Sequence, residues 1–234
     1  MKTFRLIGAG LLAVLLSFAF TACSGDDEED NENKEPSKYN AVDLGLPSGT
    51  LWADRNIGAD FPEDSGDYFA WGETATKDYF DWDTYKYGYD RDELTKYNCV
   101  SEWGFNGFTD NKTRLETIDD AATVNMGKKW RMPTEDEFYE LIKKCRWSRT
   151  SQNGIYGCKV TGLNGNSIFL PLVLPMWQDQ TIGADGYGYW SSDTPSVESD
   201  SSFLARVLCI HESKVHISAD YRTDGRVVRA VTRQ

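Results

Sequence analysis

WRMPTEDEFYEL, residues 130–141, is where the two kinds of secondary structure in this chain meet. Pro133 suits a strand-to-helix junction, because its fixed φ and missing N–H fit the first residues before a helix. Thr134 and Glu137 have capping-box spacing: the Thr hydroxyl accepts from the third amide, and the Glu carboxylate reaches back to the cap. Phe138, Leu141 and Ile142 follow at i, i+3 and i+4, one apolar stripe that needs a core to lie on. Just before the helix, Trp130 and Arg131 pin a strand end against a sheet. Upstream, IDDAATVNM (118–126) predicts a shorter helix, with acids at its positive end and Gly127 as its stop.

Short strands surround these two helices. AVDLGLPSGTLWADRNIGA opens with alternating Val42, Leu44 and Leu46, turns at Pro47-Ser48-Gly49 and continues as a second strand. GDYFAWGET (66–74) predicts another short aromatic strand ending at Gly72. KDYFDWDTYKYGYDRDELTKYN runs through seven aromatics without a clean period, as a long structured excursion rather than a helix. Beyond Cys145 the pattern is strands throughout: CRWSRT, YGCKVTG, SIFLPLVL, YGYWSS, FLARVLCI, VHISADY and GRVVRAVT. Turn residues such as Gln152-Asn153-Gly154 and Asp224-Gly225 separate them. Few helices, many short strands and no βαβ alternation predict an α+β domain built on antiparallel sheet.

The N-terminus reads differently. Lys2 and Arg5 precede LIGAGLLAVLLSFAFTA, an uncharged stretch shorter than the ~20 apolar residues of a membrane span. Small Ala22 stands immediately before Cys23, and acids follow at once. Bacterial lipoprotein signals have this form, so residues 1–22 are expected to be removed and Cys23 to carry the lipid. Phe20 stands where such signals more often have Leu. Residues 23–38 hold no large apolar side chain and form an acidic tether that cannot fold. The run Asp26, Asp27, Glu28, Glu29, Asp30 reads equally as a surface-export signal or as a spacer. Residues 39–234 then make a single folded domain.

With 37 acids against 25 bases and a net charge of −12, the chain repels nucleic acid, and nucleic-acid binding is excluded. The membrane enters only through the lipid anchor. Cys99, Cys145, Cys158 and Cys209 permit two disulfides in three connectivities. Cys145 and Cys158 flank the QNG turn, so a hairpin would bring them together; isolated thiols are the alternative.

Several stretches in one order resemble the Fibrobacter succinogenes major paralogous domain, common in Bacteroidetes lipoproteins. They are VDLGLPSGTLWADRNIGA, GDYFAWGET, LTKYN, DDAATVNMGKKWRMPTEDEFYEL, NGIYGCKVTG, NGNSIFLP, YWSS and the closing GRVVRAV. The resemblance spans nearly all of residues 40–234. It implies a fold related to C-type lectins and, more remotely, to formylglycine-generating sulfatase-modifying enzymes, whose RLPTEAEWE signature WRMPTEDEFYEL resembles. The chain departs from the family at Tyr156-Gly157-Cys158, so a Cys145–Cys158 bridge would be a local feature. The paired C-terminal cysteines of the sulfatase-modifying enzymes are absent, since Cys209 stands alone there.

No catalytic constellation is legible. His211 and His216 lie in CIHESKVHISA, on opposite strand faces or across a hairpin turn, without the spacing of a zinc site. There is no nucleophile elbow and no phosphate loop, and the acids lack EF-hand spacing. No metal or cofactor is expected. Aromatic side chains offer the other route, stacking on sugar rings or apolar surfaces. In lectin-like folds ligands meet loops of the C-terminal half, so the expected ligand positions are Trp177, Asp179, Asp185, Tyr187, Asp193, Glu198, Asp200 and Arg222. The leading expectation is an outer-membrane, cell-surface lipoprotein whose lectin-like module binds a glycan or protein without catalysis. An assembly role beside another envelope protein comes second, and an enzyme third.

Overall fold

A computed structural model describes residues 38–181, 187–194, 201–211 and 213–233, within one compact unit spanning Pro36–Gln234. The signal segment, Cys23 and nearly all of the acidic tether lie outside these residues. Among the described residues no helix is long and apolar enough to cross a membrane.

The fold is α+β and antiparallel. β1 (Ala41–Asp43) and β2 (Thr50–Ala53) are followed by a long stretch with only short 3-10 turns, then α1 (Ala121–Met126) and α2 (Glu135–Lys144). After them come β3 (Arg146–Gln152), β4 (Ile155–Thr161), β5 (Ser167–Pro171), β6 (Met176–Trp177) and β7 (Gln180–Thr181). β8 (Tyr187–Trp190), β9 (Leu204–Ile210), β10 (Val215–Tyr221) and β11 (Val231–Arg233) complete the chain. Three three-stranded sheets form, ordered β1-β2-β11, β3-β4-β5 and β10-β9-β8, beside a two-stranded β6-β7 hairpin.

The helix junction takes the form its sequence predicts. The Thr134 hydroxyl accepts from the Glu137 amide at 3.2 Å, and the Glu137 carboxylate accepts from the Thr134 amide at 2.9 Å. Arg131 donates twice to that carboxylate, and the Thr50 hydroxyl donates once more, tying α2 to β2. Burial pushes the Glu137 carboxyl up, but the Arg131 guanidinium and the Thr134 amide outweigh it and hold it below its ordinary value. Phe138 and Leu141 are buried, and Trp130 lies in the core. The shorter helix is cut back: residues 117–119 form a 3-10 turn, and Asp120 caps α1 by accepting from the Thr123 amide at 2.8 Å. Gly127 ends it at φ 94°.

Two predicted strands change character. GDYFAWGET makes a single bridge, Phe69 to Arg226, and then turns at Trp71-Gly72, where the Glu73 amide donates to the Ala70 carbonyl at 3.0 Å. GRVVRAVT is a regular strand only at Val231–Arg233. The rest of that segment is extended and buried, but its backbone bonds go to many partners in turn. Gly225 pairs with Met176, Arg226 with Phe69, Val227 with Trp190, Val228 with Ile57, Ala230 with Ala53, and Val231 with Arg131. Because each residue meets a different element, no ladder forms.

Four tryptophans, Trp52, Trp71, Trp130 and Trp190, are fully buried, and fully burying such a ring contributes on the order of 2–3 kcal/mol. Two guanidinium groups are enclosed with them. Arg229 donates to the Asn56 side chain and to the carbonyls of Ala53, Asp54 and Phe169. Arg222 donates to the carbonyls of Leu204, Lys96 and Tyr97 and lies 4.7 Å over the Trp71 ring. The aromatic excursion closes over this core: Tyr87 and Tyr97 both donate to buried Asp119, where Lys96 also binds.

Candidate binding groove

One concavity outside the core is organised by a tight hairpin. Asn153 and Gly154, at φ 49° and 85°, turn β3 into β4 in two residues, with Gln152 opposite Ile155. So short a turn leaves the next side chains at the tip with no core to enter. Ile155 is 46% exposed and Tyr156 76%. The chain leaving β5 returns beneath this tip, because the Leu172 amide donates to the Tyr156 carbonyl at 3.0 Å. Next along β4, a Cβ at Gly157 would sit 2.2 Å from the Phe169 ring, so only glycine allows β5 to pack this closely.

The result is a groove of about 790 Å³. Its floor is Pro171, Leu172, Val173 and Leu174; Ile155, Tyr156, Tyr68 and Tyr187 stand along its walls. Glu63, Asp64 and Ser65 form an acidic rim. Glu63 accepts from Gln152 Nε2 at 2.8 Å and from Asn153 Nδ2, which clamps the rim to the hairpin. The Asn153 bond is the main reason its carboxyl sits below the ordinary value. One Asp64 oxygen accepts from the amides of Asp60 and Phe61 at 3.2 and 2.9 Å. Among the described residues, no lysine, arginine or histidine lines the groove.

The tyrosines of the core and those of the groove differ in their hydroxyls. Those in the core all have hydroxyl partners: Tyr85 donates to the Trp71 carbonyl, Tyr189 to the Pro171 carbonyl, and Tyr87 and Tyr97 to Asp119. Buried phenols are normally satisfied in this way. The hydroxyls of Tyr68, Tyr156 and Tyr187 have no hydrogen-bond partner among the described residues. Tyr68 is half-buried all the same, and burial raises its pKa above the ordinary phenol value. Three ring faces and three open hydroxyls therefore share one apolar trough.

The expected ligand positions scatter around this arrangement. Tyr187 lies in the groove. Asp179 lines a neighbouring hollow that shares Tyr68, together with Met176, Lys77 and Asp78. Trp177 is 44% exposed on the β6–β7 hairpin, which is docked on Phe80 and Gly225, and it does not line the groove. Asp193 and Arg222 are corrections, for both are buried and structural. Asp193 accepts from Arg114 at 2.5 Å and from the Glu135 amide at 2.7 Å, bracing the start of α2. Arg222 lies wholly inside, where its loop carbonyls need a multiple donor. Asp185, Glu198 and Asp200 lie outside the described residues.

The Cys145–Cys158 bridge that the sequence permits does not form, and both residues are free thiols, the alternative reading. Strand register explains this, since Cys158 faces Arg149 while Cys145 precedes the first residue of β3. His211 and His216 flank a hairpin turn in which the His211 amide donates to the Lys214 carbonyl. Among the described residues, no three of His, Cys, Asp and Glu converge as a metal site.

Tyr68 and Tyr156 were not among the sequence candidates. Tyr68 was hidden inside a stretch of core aromatics. Tyr156 carried a usable signal, because apolar residues placed directly after Asn-Gly must sit at a hairpin tip. No family model matches this chain, and neither a curated protein nor a solved structure matches it.

Proposed function

We propose that this chain is an exported outer-membrane lipoprotein, anchored through Cys23, whose folded domain is a non-catalytic binding or adhesion module with its ligand in the tyrosine groove. The observation that carries this reading is the set of three open phenols over an apolar floor, in a protein whose core phenols are all paired. The leader, Ala22-Cys23 and the acidic tether support display at the cell surface. The resemblance to the Fibrobacter succinogenes major paralogous domain and its lectin-like fold supports a module that binds a glycan or a protein, although fold alone does not fix a ligand.

Cells displaying the protein should adhere to a surface coated with the ligand, and cells displaying the Tyr156→Ala/Tyr187→Ala variant should not. Equal adhesion of both at equal surface level would remove the groove from the reading. A second reading, assembly with another envelope protein, is favoured by one separate feature. Tyr89 and Phe105 form an exposed ring pair at 5.4 Å, and Trp103, Phe203 and Tyr221 form a row at 5.0 and 5.7 Å. Exposed aromatic clusters of this kind are common at protein interfaces.

A further inference from the structure

The groove's own chemistry separates the two ligand classes, a distinction that rests on the groove being the binding site. Sugar recognition draws on planar amides, guanidinium groups and carboxylates that meet neighbouring hydroxyls in pairs. Among the described residues, the lining has no Asn, Gln or Arg side chain. Both oxygens of Glu63 are held by Gln152 and Asn153, and one oxygen of Asp64 is held by backbone amides. What remains are hydroxyls that can donate, from Tyr68, Tyr156, Tyr187, Ser65 and Thr181, above an aliphatic floor.

An extended polyproline-type peptide presents the complement. It has no internal hydrogen bonds, so its carbonyls are free to accept, and its rings pack on aromatic walls at little entropic cost. Glu63 and Asp64 add negative charge at one edge; no base lines the groove, and Arg55, the base that reaches Glu63, is itself paired with Asp54, on a chain of net charge −12. That field favours a cationic side chain and rejects an acidic one.

We propose that the groove takes an extended, proline-containing peptide segment that carries a lysine or arginine beside its prolines. The partner is thus a protein with an exposed proline-rich, basic segment.

The test is selection of random dodecapeptides displayed on phage against the full-length, detergent-solubilised protein, with a neutral β-linked glucose hexamer assayed in parallel. Selected peptides should be enriched in proline and in lysine or arginine. Tyr156→Phe/Tyr187→Phe, which removes only hydroxyls, should weaken the best peptide at least tenfold, and Asp64→Asn should reduce its preference for the basic residue. Acidic or proline-free selectants overturn the proposal. Retention of the hexamer alone, lost in the tyrosine variant, overturns the peptide class and leaves the groove as the site. If neither peptide nor saccharide is held through the tyrosines, the groove reading falls as well.

Discussion

Arg229→Met should be among the most damaging single substitutions in the domain. The guanidinium is fully buried and donates to four acceptors: Asn56 Oδ1 at 2.8 Å and the carbonyls of Ala53, Asp54 and Phe169 at 3.2, 3.1 and 2.9 Å. Methionine fills much of the same volume but donates nothing. Each acceptor left unpaired in the interior costs roughly 1–3 kcal/mol. Part of that is offset because no cation need then be desolvated, a penalty of several kcal/mol in its own right. The net loss should be on the order of 4 kcal/mol, within the 3–5 kcal/mol typical of breaking a buried charged contact. For a domain of this size, 1 kcal/mol moves the midpoint by about 2–4 °C, so the melting temperature should fall by about 8–16 °C. Arg229→Lys should fall between the two, since one ammonium cannot span acceptors on β2, the loop after it and β5. Differential scanning calorimetry of the three proteins reads this directly. A fall of less than about 3 °C for Arg229→Met would show that water or rearranged donors reach those carbonyls, and that the buried fork is dispensable.

Thr134→Ala should cost on the order of 1 kcal/mol through the lost helix cap, and Trp130→Ala about 3–5 kcal/mol through the cavity it leaves; denaturant titration checks both, and an unchanged midpoint for Trp130→Ala would contradict its burial. Asp224 is buried without a hydrogen bond to its carboxylate among the described residues, and burial pushes its pKa up to about 7. An acid raised in the folded state loses stability as pH rises from its unfolded value, near 4, through 7. Asp224→Asn should therefore raise the melting temperature more at pH 8 than at pH 5, and a gain equal at both would exclude an ionisation effect. Cys23→Ala should leave the protein unlabelled by a fatty-acid probe, and persistent labelling would place the anchor elsewhere.

The parts of the fold legible in the sequence were those whose signals are local. The capping box at Thr134 and Glu137, the Asn153-Gly154 turn and the strand segments FLARVLCI and VHISADY are set within a few residues, and each reappears in the structure. What stayed hidden depends on distant partners. Arg222, in a turn-rich YRTDGR stretch, reads as an exposed loop arginine, and nothing nearby reveals the Trp71 ring and the Tyr97 carbonyl that receive it. Asp193 reads as a surface acid until the start of α2 is brought against it. The groove is half legible. Tyr187 follows from its loop context, but Tyr68 and Tyr156 meet it only through the return of residues 171–174 beneath the hairpin tip.

The segment Gly225–Arg233 has a consequence in time as well as in space. It reaches residues near 53, 57, 69, 131, 176 and 190, so elements made early are joined by one made much later. Contacts of such long sequence separation slow folding, because large loops must close before any contact rewards the closure. Until these residues arrive, neither the β2 edge nor the pocket for Arg229 has its partner. A polypeptide emerging from a ribosome would keep the domain open until this segment was free and then close it in a late, concerted step. Stalling synthesis just before Gly225 should therefore leave the preceding residues open to protease, although most of the elements of the domain have by then been made.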